Sequence, residues 1–187
     1  ENGWPEYTVQ AVEGMVGHGI PNLVSRFSPA EAQVPQTLER TLAQFNRYYG
    51  AHNMELTAPY AGMPELLKKL KSAGVRLAGC SNKADEFSRV IVEHYFPGIF
   101  RLVRGNIPGT PVKPDPGVAR GILEKLNARP EETLMVGDSD VDIRTGHNAG
   151  LKACGVTWGF RSRENLVNAG ADFLADTPAE LEKLLMN

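Results

Sequence analysis

Cysteine is nearly missing from this chain: Cys80 and Cys154 are the only two in 187 residues. Two thiols form at most one bridge, so the chain is no disulfide-stapled secreted scaffold. Both lie in apolar, strand-like runs, which reads as buried free thiols in a reducing cytoplasm rather than a structural disulfide. No stretch of about 18 apolar residues occurs, so no membrane span is expected. The opening residues, Glu1-Asn2-Gly3-Trp4-Pro5, have neither the basic segment nor the apolar run of a signal peptide. A large charge excess is missing too. The formal net charge is −2, which argues against a protein built to coat nucleic acid or an anionic membrane. There is no internal repeat and no low-complexity tract. Finally, no aspartate occurs before Asp85.

What remains is 42% hydrophobic, enough to bury a sizeable core in one domain or in a core domain with a small insert. The front of the chain carries helix signals and no strand signal. Thr8 is placed to cap a short helix, Gly17-His18-Gly19 interrupts it, and Pro21 suits the first turn of a helix reaching Phe27. Ser28-Pro29-Ala30-Glu31 has the spacing of a capping box. Leu38, Leu42, Phe45 and Tyr49 then recur as one face of a longer helix. Beyond Pro59 the texture alternates. Strands are expected at Val75–Cys80, Phe100–Val103, Thr133–Val136, Lys152–Thr157 and Ala171–Ala175, with helices between them. One of these helices runs from Asp85 to Tyr95 with Phe87, Val90, Ile91 and His94 on its packed side. Such alternation predicts a Rossmann-like α/β core with a parallel sheet covered on both faces. The expected division is a helical unit over residues 1–57 and an α/β core over 58–187.

The stretch from Thr133 to Asp142 carries the densest chemistry. A short apolar strand ends at Gly137, and Asp138, Asp140 and Asp142 follow within five positions. Ligands bind at the carboxyl ends of strands in open α/β sheets. Carboxylates this close repel, and a hard cation such as Mg2+ relieves the repulsion by taking their oxygens. The plainer alternative is a strand–turn–helix with Asp138 as the helix cap. Ser81 follows another apolar run and precedes a helix, so it suits either a phosphate held at a helix N-terminus or a plain N-cap. Lys113 lies between Pro111 and Pro114, which stiffen its loop. A lysine so held suits charge neutralisation of a phosphoryl group, and a solvated loop lysine is the plainer alternative.

Taken in order, a strand leading to Ser81-Asn82-Lys83, a loop with Lys113-Pro114, and Gly137-Asp138-Ser139 through Asp142 form a pattern. In it the chain resembles the haloacid-dehalogenase-like phosphatases, and within them it is most similar to the phosphoglycolate phosphatases. Gly17-His18-Gly19 and the Pro59-Tyr60-x-Gly62 return to the core add to that likeness. The resemblance implies a helical cap inserted into the core and a Mg2+-dependent hydrolysis of a small phosphorylated metabolite. It implies Asp138 and Asp142 at the metal, Ser81 and the backbone N–H of Asn82 on the phosphate, and Lys113 tying phosphate to nucleophile. His18 lies where the cap would face the substrate; a turn histidine without a ligand is the alternative. Asp140 takes no role, and an exposed carboxylate at the helix start is the expectation for it. A monomer or a homodimer is expected, with no nucleic-acid or membrane partner. A sugar-phosphate mutase, or a phosphatase for another small ester, is the runner-up. A receiver domain gathers similar groups, but there the acids precede the lysine and no helical front exists.

One departure from the family pattern is large. The first motif, Asp-x-Asp-Gly-Thr, supplies the nucleophile that becomes an aspartyl-phosphate, and residues 1–187 do not contain it. In the family that motif ends a strand lying beside the Thr133–Val136 strand. The expectation is a chain without its first core strand, inactive by itself, and an inactive scaffold stays open as an alternative.

Overall fold

The computed structural model describes residues 2–186, so Glu1, the first residue of the expected cap, lies outside it, as does Asn187. The front is helical, as its periodicity predicts. Helix α1 (Val9–Met15) is capped by the Thr8 hydroxyl, which accepts the Ala11 N–H. Gly17 and Gly19 turn the chain at positive φ, and α2 (Ile20–Phe27) begins earlier than Pro21 alone suggests. The capping box expected at Ser28 does not form. Its hydroxyl instead donates back to the Val24 carbonyl at 2.7 Å, closing the end of α2. A 3-10 turn at Ala30–Ala32 follows, and the long helix α3 (Pro35–His52) opens at its proline.

From here strands and helices alternate: α4 (Met63–Ser72), β1 (Ala78–Ala84), α5 (Asp85–Tyr95), β2 (Leu102–Asn106), α6 (Gly117–Leu126), β3 (Leu134–Gly137), α7 (Asp140–Ala149), β4 (Lys152–Val156), α8 (Arg163–Asn168), β5 (Phe173–Ala175) and α9 (Pro178–Met186). Every strand pair is parallel. The core is thus Rossmann-like α/β. Its layers follow from side-chain alternation along β4. Ala153 joins Leu123, Met135, Ile143 and Leu166 under α6, α7 and α8. Cys154 and Val156 point the other way and join Leu66, Leu70, Ala175 and Leu181 under α4 and α9.

Two strands differ from their sequence assignment for one reason. Apolar content marks Val75–Cys80 and Phe100–Val103, yet pairing runs later, from Ala78 to Ala84 and from Leu102 to Asn106. Val75 still belongs to the end of α4, its N–H bonded to the Leu70 carbonyl. Gly105 permits the late pairing: a Cβ there would lie 2.5 Å from Asp85 Cα and the Lys83 carbonyl oxygen. The strand thereby carries Ser81, Asn82 and Lys83 inside it, and Ser81 sits well before the first turn of α5. Its hydroxyl accepts the Lys83 N–H at 3.1 Å and does not cap α5, so the plain N-cap reading of Ser81 does not hold. On α5 the packed side is also rotated. Phe87, Ile91 and Tyr95 are half-buried, whereas Val90 and His94 face out. Four-residue spacing keeps 87, 91 and 95 on one line, and 90 and 94 fall to its side.

The strands form two pieces, β1-β2 and β3-β4-β5, rather than one continuous sheet. Each piece has two edge strands, β1 and β2 in the first and β3 and β5 in the second. Val136 on β3 is correspondingly 36% exposed, although its run reads as a buried strand.

Candidate active site

The carboxyl ends of β1 and β3 border one cavity of about 520 Å³. Ser81, Asn82, Lys113, Asp138 and Asp142 all line it, so five of the six residues singled out from sequence meet in one place. The sixth, His18, is exposed and lies outside the lining, although its neighbours Gly17 and Gly19 belong to it.

Lys113 is the joint between the two sheet pieces. It is 8% exposed, and its ammonium donates to the Cys80 carbonyl at 2.9 Å and to Asp142 Oδ1 at 2.6 Å. The plainer alternative of a solvated loop lysine does not hold, because the loop delivers Lys113 into a buried ion pair with Asp142. Asp142 is equally committed. Its Oδ2 accepts both the Ser139 N–H at 3.1 Å and the Ser139 hydroxyl at 2.6 Å. Ser139 accepts the Asp142 N–H in return, so Ser139, and not Asp138, caps α7. Asp140 pairs with Arg144 at 3.3 Å on the helix surface.

Freed from capping, Asp138 faces the cavity. Its Oδ2 accepts the Phe160 N–H at 3.0 Å and its carbonyl accepts the Arg161 N–H at 3.2 Å. The loop after β4 can come this close because residue 159 is glycine: a Cβ there would lie 2.2 Å from Asp138 Cβ. Sequence reasoning passed over this loop. Its signal was a glycine between two aromatics, Trp158-Gly159-Phe160, directly after a strand.

Asn82 plays a larger part than a backbone donor. Its side chain accepts the Lys113 N–H at 2.7 Å, and donates to the Lys113 carbonyl at 3.0 Å and to the Gly17 carbonyl at 2.7 Å. One amide thus fastens the lysine loop and the helical front to β1. A second tie comes from Tyr49 on α3. Its ring stacks on Phe45 at 5.6 Å and meets Phe87 edge-on at 5.3 Å, and its phenol oxygen accepts a hydrogen bond from Lys83. Arg161 Nη2 also reaches the Val16 carbonyl, at 3.5 Å.

Two neutral groups near the site respond to this surrounding. Burial pushes the Cys80 thiol up, against the opposing pull of Lys113. The Tyr60 phenol, in the return from the helical front, is raised by burial first and then by Asp138 and Glu13. Both cysteines are free, as expected.

A cation fits these groups in one way. No cluster of three or more His, Cys, Asp or Glu ligands exists among the described residues. Mg2+ does not require one, since it keeps several waters and takes one or two carboxylates plus substrate phosphate. Asp138 offers one unengaged oxygen, Oδ1, at the cavity. Both oxygens of Asp142 are already engaged, Oδ1 by Lys113 and Oδ2 by Ser139.

A family model described as haloacid dehalogenase-like hydrolase matches residues 1–156. The chain belongs to this family. It is 32% identical over 188 residues to a phosphoglycolate phosphatase of Aquifex aeolicus, covering 100% of this chain and 84% of that protein. It is also 32% identical over 185 residues to one of Vibrio vulnificus, covering 96% and 81%. Among solved structures, a predicted phosphoglycolate phosphatase from Haemophilus somnus superposes with a TM-score of 0.88 at 25% identity. That match covers 97% of this chain and 84% of the other. Family membership places the fold and the superfamily of hydrolases; the substrate is a separate question. No helix among the described residues is long and apolar enough to cross a membrane.

Proposed function

We propose that this chain forms the phosphate- and metal-binding part of a Mg2+-dependent phosphomonoester hydrolase acting on a small metabolite, with 2-phosphoglycolate as the substrate. One observation carries the reading: Ser81, Lys113 and Asp138 each keep one unused bonding capacity, and all three line the same cavity. The Ser81 oxygen accepts from Lys83, which leaves its O–H to donate to a phosphate oxygen. Lys113 uses two of three ammonium donors, and the third donates a hydrogen bond to the phosphoryl group. Asp138 holds the cation through Oδ1 while Phe160 fixes Oδ2. Asp142 orients Lys113 and supports the metal site from behind. A bound Mg2+ would supply charge neutralisation of the phosphate. The names carried by the Aquifex and Vibrio relatives support 2-phosphoglycolate. The helical unit ending at residue 57 acts as a cap that closes on the core and excludes water.

The covalent step needs a nucleophile. Asp138 and Asp142 are the only acids among the residues lining the cavity, and both have other duties. β1 and β3 are edge strands of separate sheet pieces, and the family likeness puts a nucleophile-bearing strand beside β3. Residues 1–187 by themselves therefore bind a phosphoester and do not turn it over. The same two-acid cavity favours, as a second reading, a scaffold that binds without hydrolysing.

Melting of the chain against Mg2+ tests the metal. Binding to the folded state alone adds about 2.7 kcal/mol at a hundredfold excess over Kd. The expected rise in melting temperature disappears in Asp138→Asn; an equal rise in both removes Asp138 from the site. Phosphate release from 2-phosphoglycolate is expected to stay at background. Robust Mg2+-dependent turnover by the purified 187-residue chain would falsify the nucleophile assignment.

A further inference from the structure

The cavity is lined by two cations that the phosphate and metal chemistry above leaves unused, Lys83 and Arg161, and of these Lys83 is the one that shares a strand with Ser81. Three basic side chains line the cavity in all: Lys83, Lys113 and Arg161. Lys113 is neutralised by Asp142. Lys83 has no carboxylate partner among the described residues; its ammonium donates to a neutral phenol, that of Tyr49, and sits 4.5 Å from the ring centroid. A half-buried ammonium held only by a neutral group is poorly compensated, and an anion brought into the cavity corrects this. The ammonium carries three donors and Tyr49 takes one, so two remain. Tyr49 is itself held on both sides by Phe45 and Phe87, which fixes where the ammonium is presented.

Position decides what the anion is. Lys83 stands two residues beyond Ser81 on the same strand, and the two are joined by the Ser81 hydroxyl and the Lys83 N–H. Both lie in the irregular stretch of β1 between Cys80 and Ala84, where that 3.1 Å contact keeps the two residues close together. An anion reaching Lys83 from a phosphate at Ser81 therefore belongs to the same small molecule.

We propose that Lys83, presented by Tyr49, binds a second anionic group of the substrate, a carboxylate close to the phosphoester, and so selects carboxylated phosphomonoesters over neutral ones. Tyr49 is a positioning residue in this subsite. It lies on α3, whereas Lys83 lies on β1, so the subsite is complete only when the helical front is docked on the core. The inference rests on the phosphate site and the substrate of the preceding reading and adds the residues that select the substrate's carboxylate.

Calorimetric binding in the presence of Mg2+ tests it on the chain as it stands, without need of turnover. The probes are 2-phosphoglycolate and ethyl phosphate, which differ by a carboxylate in place of a methyl. The unsubstituted chain is expected to prefer 2-phosphoglycolate by roughly ten- to a hundredfold, the range for hydrogen bonds to a charged group. Lys83→Met collapses that ratio to about one, Lys83→Arg keeps it within about threefold, and Tyr49→Phe lowers it to an intermediate value. Equal affinity of the unsubstituted chain for the two probes overturns the proposal before any variant is made, while leaving the phosphate site standing. A preference that survives in Lys83→Met, or one that is lost in Arg161→Met instead, overturns it as well. Failure of both probes to bind overturns the phosphate site and this subsite together.

Discussion

Lys113 shows how much a single residue's setting changes its meaning. In a proline-bounded loop it reads as a surface charge whose removal costs little. Between two strand ends it is 8% exposed and paired with Asp142 at 2.6 Å. Removing one member of a buried pair leaves the other charge uncompensated, which costs about 3–5 kcal/mol. Lys113→Met is therefore expected to lower stability by that amount in urea denaturation, and Lys113→Met with Asp142→Leu to recover part of it. A loss below about 1 kcal/mol in the single variant would mean that water reaches the pair. Gly159 makes a parallel case without any charge. Its missing Cβ is what lets the loop fold over Asp138. Gly159→Ala is expected to displace that carboxylate and abolish the Mg2+-induced rise in melting temperature. A retained rise would show that Asp138 finds the cation from a shifted position.

At the level of elements, β4 is the strand on which the core is built, with its two faces feeding two apolar clusters. Cys154 on this strand is fully enclosed, and burial pushes its thiol up to about 11 from an ordinary value of 9.0. A folded-state value above the unfolded one means that the neutral thiol contributes stability fully below pH 9. That contribution is lost as pH rises through 11, and two units correspond to about 2–3 kcal/mol. Chemical denaturation between pH 8 and 11 should therefore show falling stability, with a shallower slope in Cys154→Ala. Cys80 and Tyr60, also raised, leave some slope behind. An unchanged profile in the variant would assign the alkaline loss to those two groups. The β4–β5 join has an acid-side counterpart. Asp172 accepts from Lys152, from the Ala153 N–H and from His147, which holds it far below the ordinary carboxylate range. That contribution is present above the ordinary carboxylate value and fades only in strong acid.

Across the whole molecule, helical front and α/β core are joined by few but well-placed contacts. A run of rings, Trp4, Phe27, Phe45, Tyr49 and Phe87, leads from one to the other. Tyr95 adds a hydrogen bond to the Thr57 carbonyl. The Asn82 amide ties Gly17, Lys113 and β1 together in a single group. Asn82→Ala leaves three backbone groups without partners. Water reaches some of them, so the expected loss is about 3 kcal/mol, in line with about 1–3 kcal/mol for each buried unpaired group. Hydrogen exchange should quicken in α1 and α2 ahead of α3, because the Gly17 tie is lost while the ring contacts stay. Uniform quickening over the whole chain would instead mark Asn82 as a core residue with no special part in holding the front.

Local chemistry was enough to read several features from the residues alone. The period of Leu38, Leu42, Phe45 and Tyr49 marks α3, and Thr8 and Gly150 mark ends of α1 and α7, because caps and periodicity act within a few residues. The alternation of strand and helix after Pro59 fixes the α/β class. The spacing of Ser81, Lys113 and Asp138 along three strand ends is enough to send them to one cavity, since parallel strands share a carboxyl end. Tertiary structure decided what depended on distant partners. It chose Ser139 over Asp138 as the cap of α7, since Asp142 reaches back to Ser139 while the loop at Gly159 claims Asp138. It moved β1 and β2 along the chain, since pairing and the close approach at Gly105 outweighed apolar content. It turned Lys113 from a surface charge into a buried pair and gave Lys83 a phenol from a different part of the fold. Hydrogen bonds between residues far apart in sequence leave no mark on local composition, and only the folded chain shows which of them form.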